Sequence, residues 1–275
     1  MFSAEQPIVT AIQMVSDNDI AVNMKVATRM MTHAVQDEGS SLLVLPENFL
    51  AFGSAGHATL SEKSSYYLES LKQIASNLSC HIVAGSLPVP AAEQSSTQRF
   101  FSRSHLINAS GELVDHYDKI HLFDVDVKDG YGAYRESDTF QAGKKTKVID
   151  LGFCKLGFSI CYDLRFPSLF QQLVAQGAEV IVVPAAFTKV TGEAHWEILL
   201  RARAIETQCY IIAANQGGTH SDKRQTWGHS MIIDPWGEIL SRVERGEAIC
   251  SSHIDLPKLH ALRSAMPVQK HIKIF

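Results

Sequence analysis

The chain lacks the marks of a secreted, membrane-bound or nucleic-acid-binding protein. Its 275 residues hold five cysteines, Cys80, Cys154, Cys161, Cys209 and Cys250, at unrelated spacings and with no C-x-x-C pair. An odd, scattered set argues against a disulfide framework or a structural zinc site and for a reducing, cytoplasmic setting. No long basic run is present and the net charge is −4, so nucleic acid is not an expected partner. The most apolar stretch, Val180 to Phe187, is far too short to span a bilayer and contains Pro184, so no membrane is expected either. Met1 to Pro7 has neither the basic region nor the apolar core of a signal peptide. Linkers, low-complexity stretches and repeats of fixed period are missing, and the expectation is one domain over residues 1–275. What is abundant is apolar surface, 45% of residues, enough for a sizeable core.

The first third alternates short apolar runs with helical patterns. Ile8 to Met14 reads as a buried strand. Asp17, Asn18 and Asp19 are candidate caps for a helix over Ile20 to Asp37, with Val22, Val26, Met30 and Val35 near helical spacing. Ser41 to Leu45 is a continuous apolar run, as expected of a strand covered on both faces, and it stops at Pro46-Glu47. A helix over Tyr66 to Asn77 and a strand over His81 to Gly85 complete a β-α-β-α-β order, which favours an α/β sheet with parallel neighbours.

The middle changes character. Arg99 to Asn108 and Glu112 to Tyr117 form a hairpin about Asn108-Ala-Ser-Gly111, ending at Asp118-Lys119. Asp124 to Lys145 shows little periodicity and reads as a long loop. The βα pattern then returns, with a strand over Glu179 to Pro184, a helix over His195 to Thr207 and a strand over Tyr210 to Ala214. In that helix Trp196, Leu199, Leu200 and Ala204 share a face, and Glu197 can pair with Arg201. A hairpin around Asp234-Pro-Trp-Gly237, a strand over Ala248 to Ile254 and a helix over Pro257 to Ala265 close the chain. Two mixed sheets between helical layers fit this order.

The most informative stretch is Gly157-Phe-Ser-Ile-Cys161-Tyr-Asp-Leu-Arg-Phe-Pro167. An apolar strand ends at a cysteine, and a helix over Ser168 to Ala175 follows. A thiol at such a turn, beside a helix N-terminus, is expected to favour the thiolate, although a buried inert cysteine is the commoner case. Glu47 and Lys119 also sit just past the ends of apolar, strand-like runs. Such strand ends form the binding crevice of α/β sheets. A carboxylate there can take the proton of the thiol, and an ammonium can stabilise an oxyanion together with the Tyr162 N–H. A solvated turn glutamate and a surface lysine are the plainer alternatives.

Leu45-Pro-Glu47, Asp118-Lys119-Ile-His-Leu-Phe123 and Ile160-Cys161-Tyr-Asp-Leu-Arg-Phe-Pro167, in that order, resemble the three signature blocks of the nitrilase superfamily of carbon–nitrogen hydrolases. The resemblance implies an α/β fold, a four-layer α-β-β-α sandwich of two mixed sheets, paired into a homodimer. It implies Glu47 as general base, Lys119 as stabiliser of the tetrahedral intermediate and Cys161 as nucleophile. Tyr134-Arg-Glu136-Ser is similar to the loop that supplies a further glutamate, Glu136. No metal and no cofactor are implied. Within the superfamily the chain is most similar to the branch of deaminated-glutathione amidases and ω-amidases, on Thr191 to Trp196, Leu200 to Glu206 and Gly228-His-Ser-Met. The implied substrate is a small carboxylate-bearing amide: deaminated glutathione, or alternatively 2-oxoglutaramate or another short linear amide. A catalytically silent scaffold of the same fold is the non-enzyme alternative. Arg165 matches a position that binds a substrate carboxylate, for which a bidentate guanidinium is suited. Tyr162 argues for amides over nitriles, and Phe187 and Thr191 match pocket-lining positions. Asp118 departs from the basic residue expected before the lysine. His121, His195 and His229 read as core or surface histidines, because the family uses no catalytic histidine.

Overall fold

The computed structural model describes residues 6–53, 56–91, 99–127, 132–221 and 223–273. One sheet is built from β1 (Ile8–Gln13), β2 (Ser40–Val44), β3 (His81–Pro90), β4 (Phe100–Ile107), β5 (Leu113–Asp118) and β14 (Ala248–His253), in the order β14-β1-β2-β3-β4-β5. Its parallel pairs are β1 with β2 and β2 with β3. The second sheet holds β8 (Val148–Asp150), β9 (Lys155–Phe158), β10 (Val180–Ala185), β11 (Tyr210–Asn215), β12 (Met231–Ile233) and β13 (Ile239–Arg242), in the order β13-β12-β11-β10-β9-β8. Here β9, β10 and β11 are parallel, and antiparallel strands finish each edge.

Side-chain alternation explains why these runs stack into layers. Leu42 and Val44 of β2 join the core shared with the second sheet, while Leu43 and Leu45 turn to the other face. That outer face meets Ala27, Met30, Met31 and Ala34 of α1 (Ile20–Gln36) and Leu71 and Ala75 of α3 (Ser64–Leu78). A strand buried on both sides has no polar face, hence the unbroken apolar run. On the far side, α4 (Pro167–Ala175) and α5 (Lys189–Thr207) cover the second sheet with Leu169, Phe170, Leu173, Trp196, Leu200 and Ala204. The order is helix, sheet, sheet, helix.

Several expectations need correction. The buried face of α1 is Asn23, Ala27, Met30, Met31 and Ala34; Val22 is half exposed. Asn23 is admitted to that face because its side chain bridges the Asp17 and Leu50 carbonyls. The fifth helix starts at Lys189, not His195, capped by the Thr188 side chain, which accepts from the Thr191 N–H. Gly192 sits inside it because a Cβ there would lie 2.2 Å from Trp227 Cβ. Asp124 to Lys145 is not all loop. It contains the hairpin β6 (Asp124–Val127) with β7 (Gly132–Arg135) and then a 3-10 turn over Glu136–Asp138. Strands of four residues carry too little alternation to stand out. Residues 128–131 of that stretch lie outside the described ones. A short helix, α2 (His57–Glu62), also escaped the periodicity reading. Among the described residues, no helix is long and apolar enough to cross a membrane.

Candidate active site

Glu47, Lys119 and Cys161 lie just beyond the carboxyl ends of β2, β5 and β9. The first two strands belong to one sheet and the third to the other, so the group straddles the sandwich. The backbone at Leu45 and Pro46 rides on β3, with the Leu45 N–H donating to the Val83 carbonyl at 3.0 Å. Gly85 permits this approach, since a Cβ there would lie 1.9 Å from the Pro46 oxygen. From the opposite sheet, Gln216 Nε2 donates to the Glu47 carbonyl at 3.1 Å. Lys119 is fixed at both backbone groups, donating to Ser102 and accepting from Gly143.

The side chains converge. Lys119 Nζ donates to Glu47 Oε1 at 2.7 Å and to the Glu136 oxygens at 2.8 and 3.0 Å. Glu136 Oε2 also accepts the Phe123 N–H at 2.6 Å. Lys119 is 2% exposed, a burial that pulls its pKa down. The Glu136 and Glu47 charges outweigh it and hold the ammonium well above its ordinary value. Burial raises Glu136, and Lys119 opposes that rise. Lys119 is therefore a fixed positive charge and not a proton carrier.

Cys161 occupies a left-handed backbone conformation, φ +47°, at the start of a 3-10 turn over Cys161–Arg165. The fully buried Asp163 holds that turn. Its Oδ2 accepts from the Ile160 N–H and the Tyr117 hydroxyl, and its Oδ1 accepts from the His121 N–H at 3.0 Å. Because Tyr117 and His121 flank Lys119, one carboxylate sets the spacing between the thiol turn and the ammonium. Motif reading quotes Asp163 without seeing this role, since only the fold brings β5 to the turn.

The thiol itself departs from expectation. Burial, and after it the Glu47 charge, push Cys161 well above the usual thiol range, against the pull of Lys119 and the Ala186 N–H. No helix dipole rescues the thiolate, because α4 begins only at Pro167 and the intervening turn is a short 3-10 segment. The resting form is a protonated thiol hydrogen-bonded to the Glu47 carboxylate. The Ala186 N–H, which sequence reading missed, points at the same sulfur.

These groups open onto a cavity of about 260 Å³, lined by Glu47, Lys119, Glu136 and Cys161 and walled by Tyr162, Phe187 and Thr191. Arg165 is not part of the lining. Its guanidinium carbon lies 5.8 Å from the Tyr162 ring centroid and 5.5 Å from that of Phe187, and its Nη1 faces His195 Nδ1 at 3.3 Å. Arg224 and His57, which sequence reading did not single out, do line the cavity. His121 and His229 are engaged elsewhere, by Asp163 and Glu244. Among the described residues, no cluster of histidine, cysteine and carboxylate side chains could hold a metal ion.

A buried thiol, two carboxylates and an ammonium at the strand ends of a four-layer sandwich define a class. Residues 8–264 match the carbon–nitrogen hydrolase family, and the chain belongs to it. It is similar to the deaminated glutathione amidase of Yersinia enterocolitica, 47% identical over 238 residues, covering 86% of this chain and 82% of that protein. The human deaminated glutathione amidase is 38% identical over 273 residues, covering 98% and 83% of the two chains. Among solved structures, the NitFhit protein of C. elegans superposes with a TM-score of 0.89 at 34% identity, covering 99% of this chain and 66% of that longer one. Saccharomyces cerevisiae Nit3, a member of branch 10 of the nitrilase superfamily, gives 0.85 at 28% identity, with 96% of each chain covered.

Proposed function

We propose that the chain, as one domain over residues 1–275, is a thiol amidase that hydrolyses deaminated glutathione to 2-oxoglutarate and Cys-Gly. The observation that carries the mechanism is the placement of the Cys161 sulfur against the Glu47 carboxylate, with Lys119 bonded to that same carboxylate. The relatives named above support the substrate. As sulfur attacks the amide carbon, its proton passes to Glu47, so the base removes the cost of the raised thiol pKa in the same step. Negative charge grows on the carbonyl oxygen and is met by the Lys119 ammonium and a backbone N–H, of Tyr162 or Ala186. Glu47 returns the proton to the nitrogen, the C–N bond breaks and the amine leaves a thioester. Water then adds to the thioester carbon, giving its proton to Glu47. The acid departs and the thiol recovers its proton. Glu136 keeps Lys119 aimed and charged throughout.

Exposed Val190, Ile198 and Ile205 on α5 support pairing of two copies through helices into a homodimer, and five free, buried cysteines support a cytoplasmic setting. The decisive experiment pairs product analysis with intact-protein mass spectrometry. Deaminated glutathione should yield 2-oxoglutarate and Cys-Gly in equal amounts, faster than 2-oxoglutaramate yields its acid. A slow substrate should leave its acyl mass on Cys161. A protein that transfers no acyl group to water or hydroxylamine from either amide is not this enzyme.

A further inference from the structure

One lining residue of the cavity has no place in the mechanism. His57 opens α2 and is 9% exposed, yet neither Nδ1 nor Nε2 has a hydrogen-bond partner. Its ring meets Phe140 edge-on, with centroids 5.1 Å apart. A buried imidazole with two unsatisfied nitrogens is a costly arrangement, and it is the kind of group that a ligand completes. Arg224 lines the same cavity and acts on His57 through its charge. The Arg224 guanidinium carbon stands 4.5 Å from the centroid of the Phe52 ring. That ring is stacked at 3.6 Å on His220, which is itself tied to the Ser16 carbonyl and the Thr226 hydroxyl. The cation thus rests on a fixed aromatic platform. The acidic side chains that line the cavity, Glu47 and Glu136, are both bound to Lys119.

We propose that His57 and Arg224 form a subsite for a carboxylate carried by the substrate, His57 donating a ring N–H and Arg224 supplying the charge. The proposal rests on the amidase reading and sharpens it, placing carboxylate recognition on Arg224 in place of Arg165. Burial, with Arg224 adding to it, pushes the His57 pKa down to about 4. The imidazole is therefore neutral at working pH, and its contribution is a directed hydrogen bond. Deaminated glutathione carries one carboxylate on its acyl half and another on its leaving half, and either has the required chemistry.

The test compares kcat/KM for matched amides in which the acyl-side carboxylate, the leaving-side carboxylate, or neither has been converted to a carboxamide. On the wild type, one of the two conversions should lower kcat/KM by about tenfold or more, and its position identifies the half that enters the subsite. His57→Phe and Arg224→Gln should collapse that charged-to-neutral ratio, whereas His57→Gln, which keeps a donor, should preserve most of it. Calorimetric titration with glutarate gives a second readout that needs no turnover, and its affinity should fall about tenfold in His57→Phe. A thermal melt shows whether each variant is folded, and Arg224→Gln carries the test where His57→Phe is not. A wild type indifferent to both conversions overturns the subsite. So do unaltered ratios and glutarate affinities in His57→Phe and Arg224→Gln. Glutarate binding that depends on His57 in a protein that hydrolyses none of the amides would instead keep the subsite and sink the amidase reading.

Discussion

Two of the five thiols in this protein stand beside a cation, and they are built for opposite fates. Cys161 faces Lys119 across the cavity cluster. Cys209, in the turn between α5 and β11, lies 3.1 Å from Arg263 Nη2. A neighbouring cation is commonly taken to mark a reactive cysteine. Here burial overrides it in both places, lifting Cys209 to about 11 and Cys161 well above its usual range. The difference lies in what can receive the proton. Around Cys209 the acceptors are the carbonyls of Ala178 and Thr207, which accept hydrogen bonds and never protons. Around Cys161 it is the Glu47 carboxylate, with an open cavity on the sulfur. A nucleophile is made by a base within reach, even where its resting pKa is high.

The sharpest way to break this comparison is to delete each sulfur. Cys161→Ala should lower turnover by about a thousandfold or more and abolish the acyl adduct. Cys209→Ala should keep kcat within about threefold and instead lose roughly 0.5–3 kcal/mol of stability in a denaturant melt. Equal losses of turnover from the two variants would erase the distinction. A smaller effect is expected from disarming the base. Glu47→Gln retains a hydrogen-bond acceptor but no proton acceptor, and kcat should fall about a hundredfold. Alkylation of Cys161 by iodoacetamide should slow alongside it, with Cys209 unaffected. Glu136→Gln should cost on the order of tenfold, with a near-normal melting temperature, because Lys119 keeps one carboxylate. An unchanged kcat would reduce Glu136 to a structural charge.

Buried histidines extend the comparison to stability, at the smallest scale. Burial is the first cause that holds His57 near pKa 4 and His105 near 3. Both stay neutral in the folded chain while the unfolded chain takes up protons below its ordinary value of 6.5. The unfolded state then binds more protons, so stability is full above that value and falls with pH toward the folded values. Each histidine should contribute a loss of about 1.4 kcal/mol between pH 7.5 and 5.5. His57→Gln and His105→Gln should each flatten that slope by nearly one proton in melts run across the range. Parallel slopes for wild type and variants would mean that these rings are protonated in the folded protein.

Much of the frame is legible in the chain. β2 and β10 stand out because burial on both faces leaves no polar alternation to confuse. Glu47 and Cys161 stand out because each follows such a run, whereas Lys119 follows the half-exposed strand Leu113–Asp118 and is marked by its family block. Glu136 is visible only through the family resemblance, since its hairpin is short and charged. Arg165 shows the limit of proximity in sequence: four residues from the thiol, it is carried by a 3-10 segment over the rings of Tyr162 and Phe187 and does not line the cavity. His57 and Arg224 show the converse. No local pattern marks either, and they share a cavity only because the segments after β2 and β11, strands of different sheets, come together.

That the glutamate and lysine come from one sheet and the cysteine from the other has a consequence for how the chain comes into being. During synthesis β2 and β5 emerge well before β9. Until the layers dock, the ammonium can meet its carboxylates but the sulfur has no partner able to deprotonate it. A nascent or half-assembled molecule is thus a harmless bystander to the metabolites around it. Catalytic competence requires both layers to be docked, and a measured turnover certifies that they are.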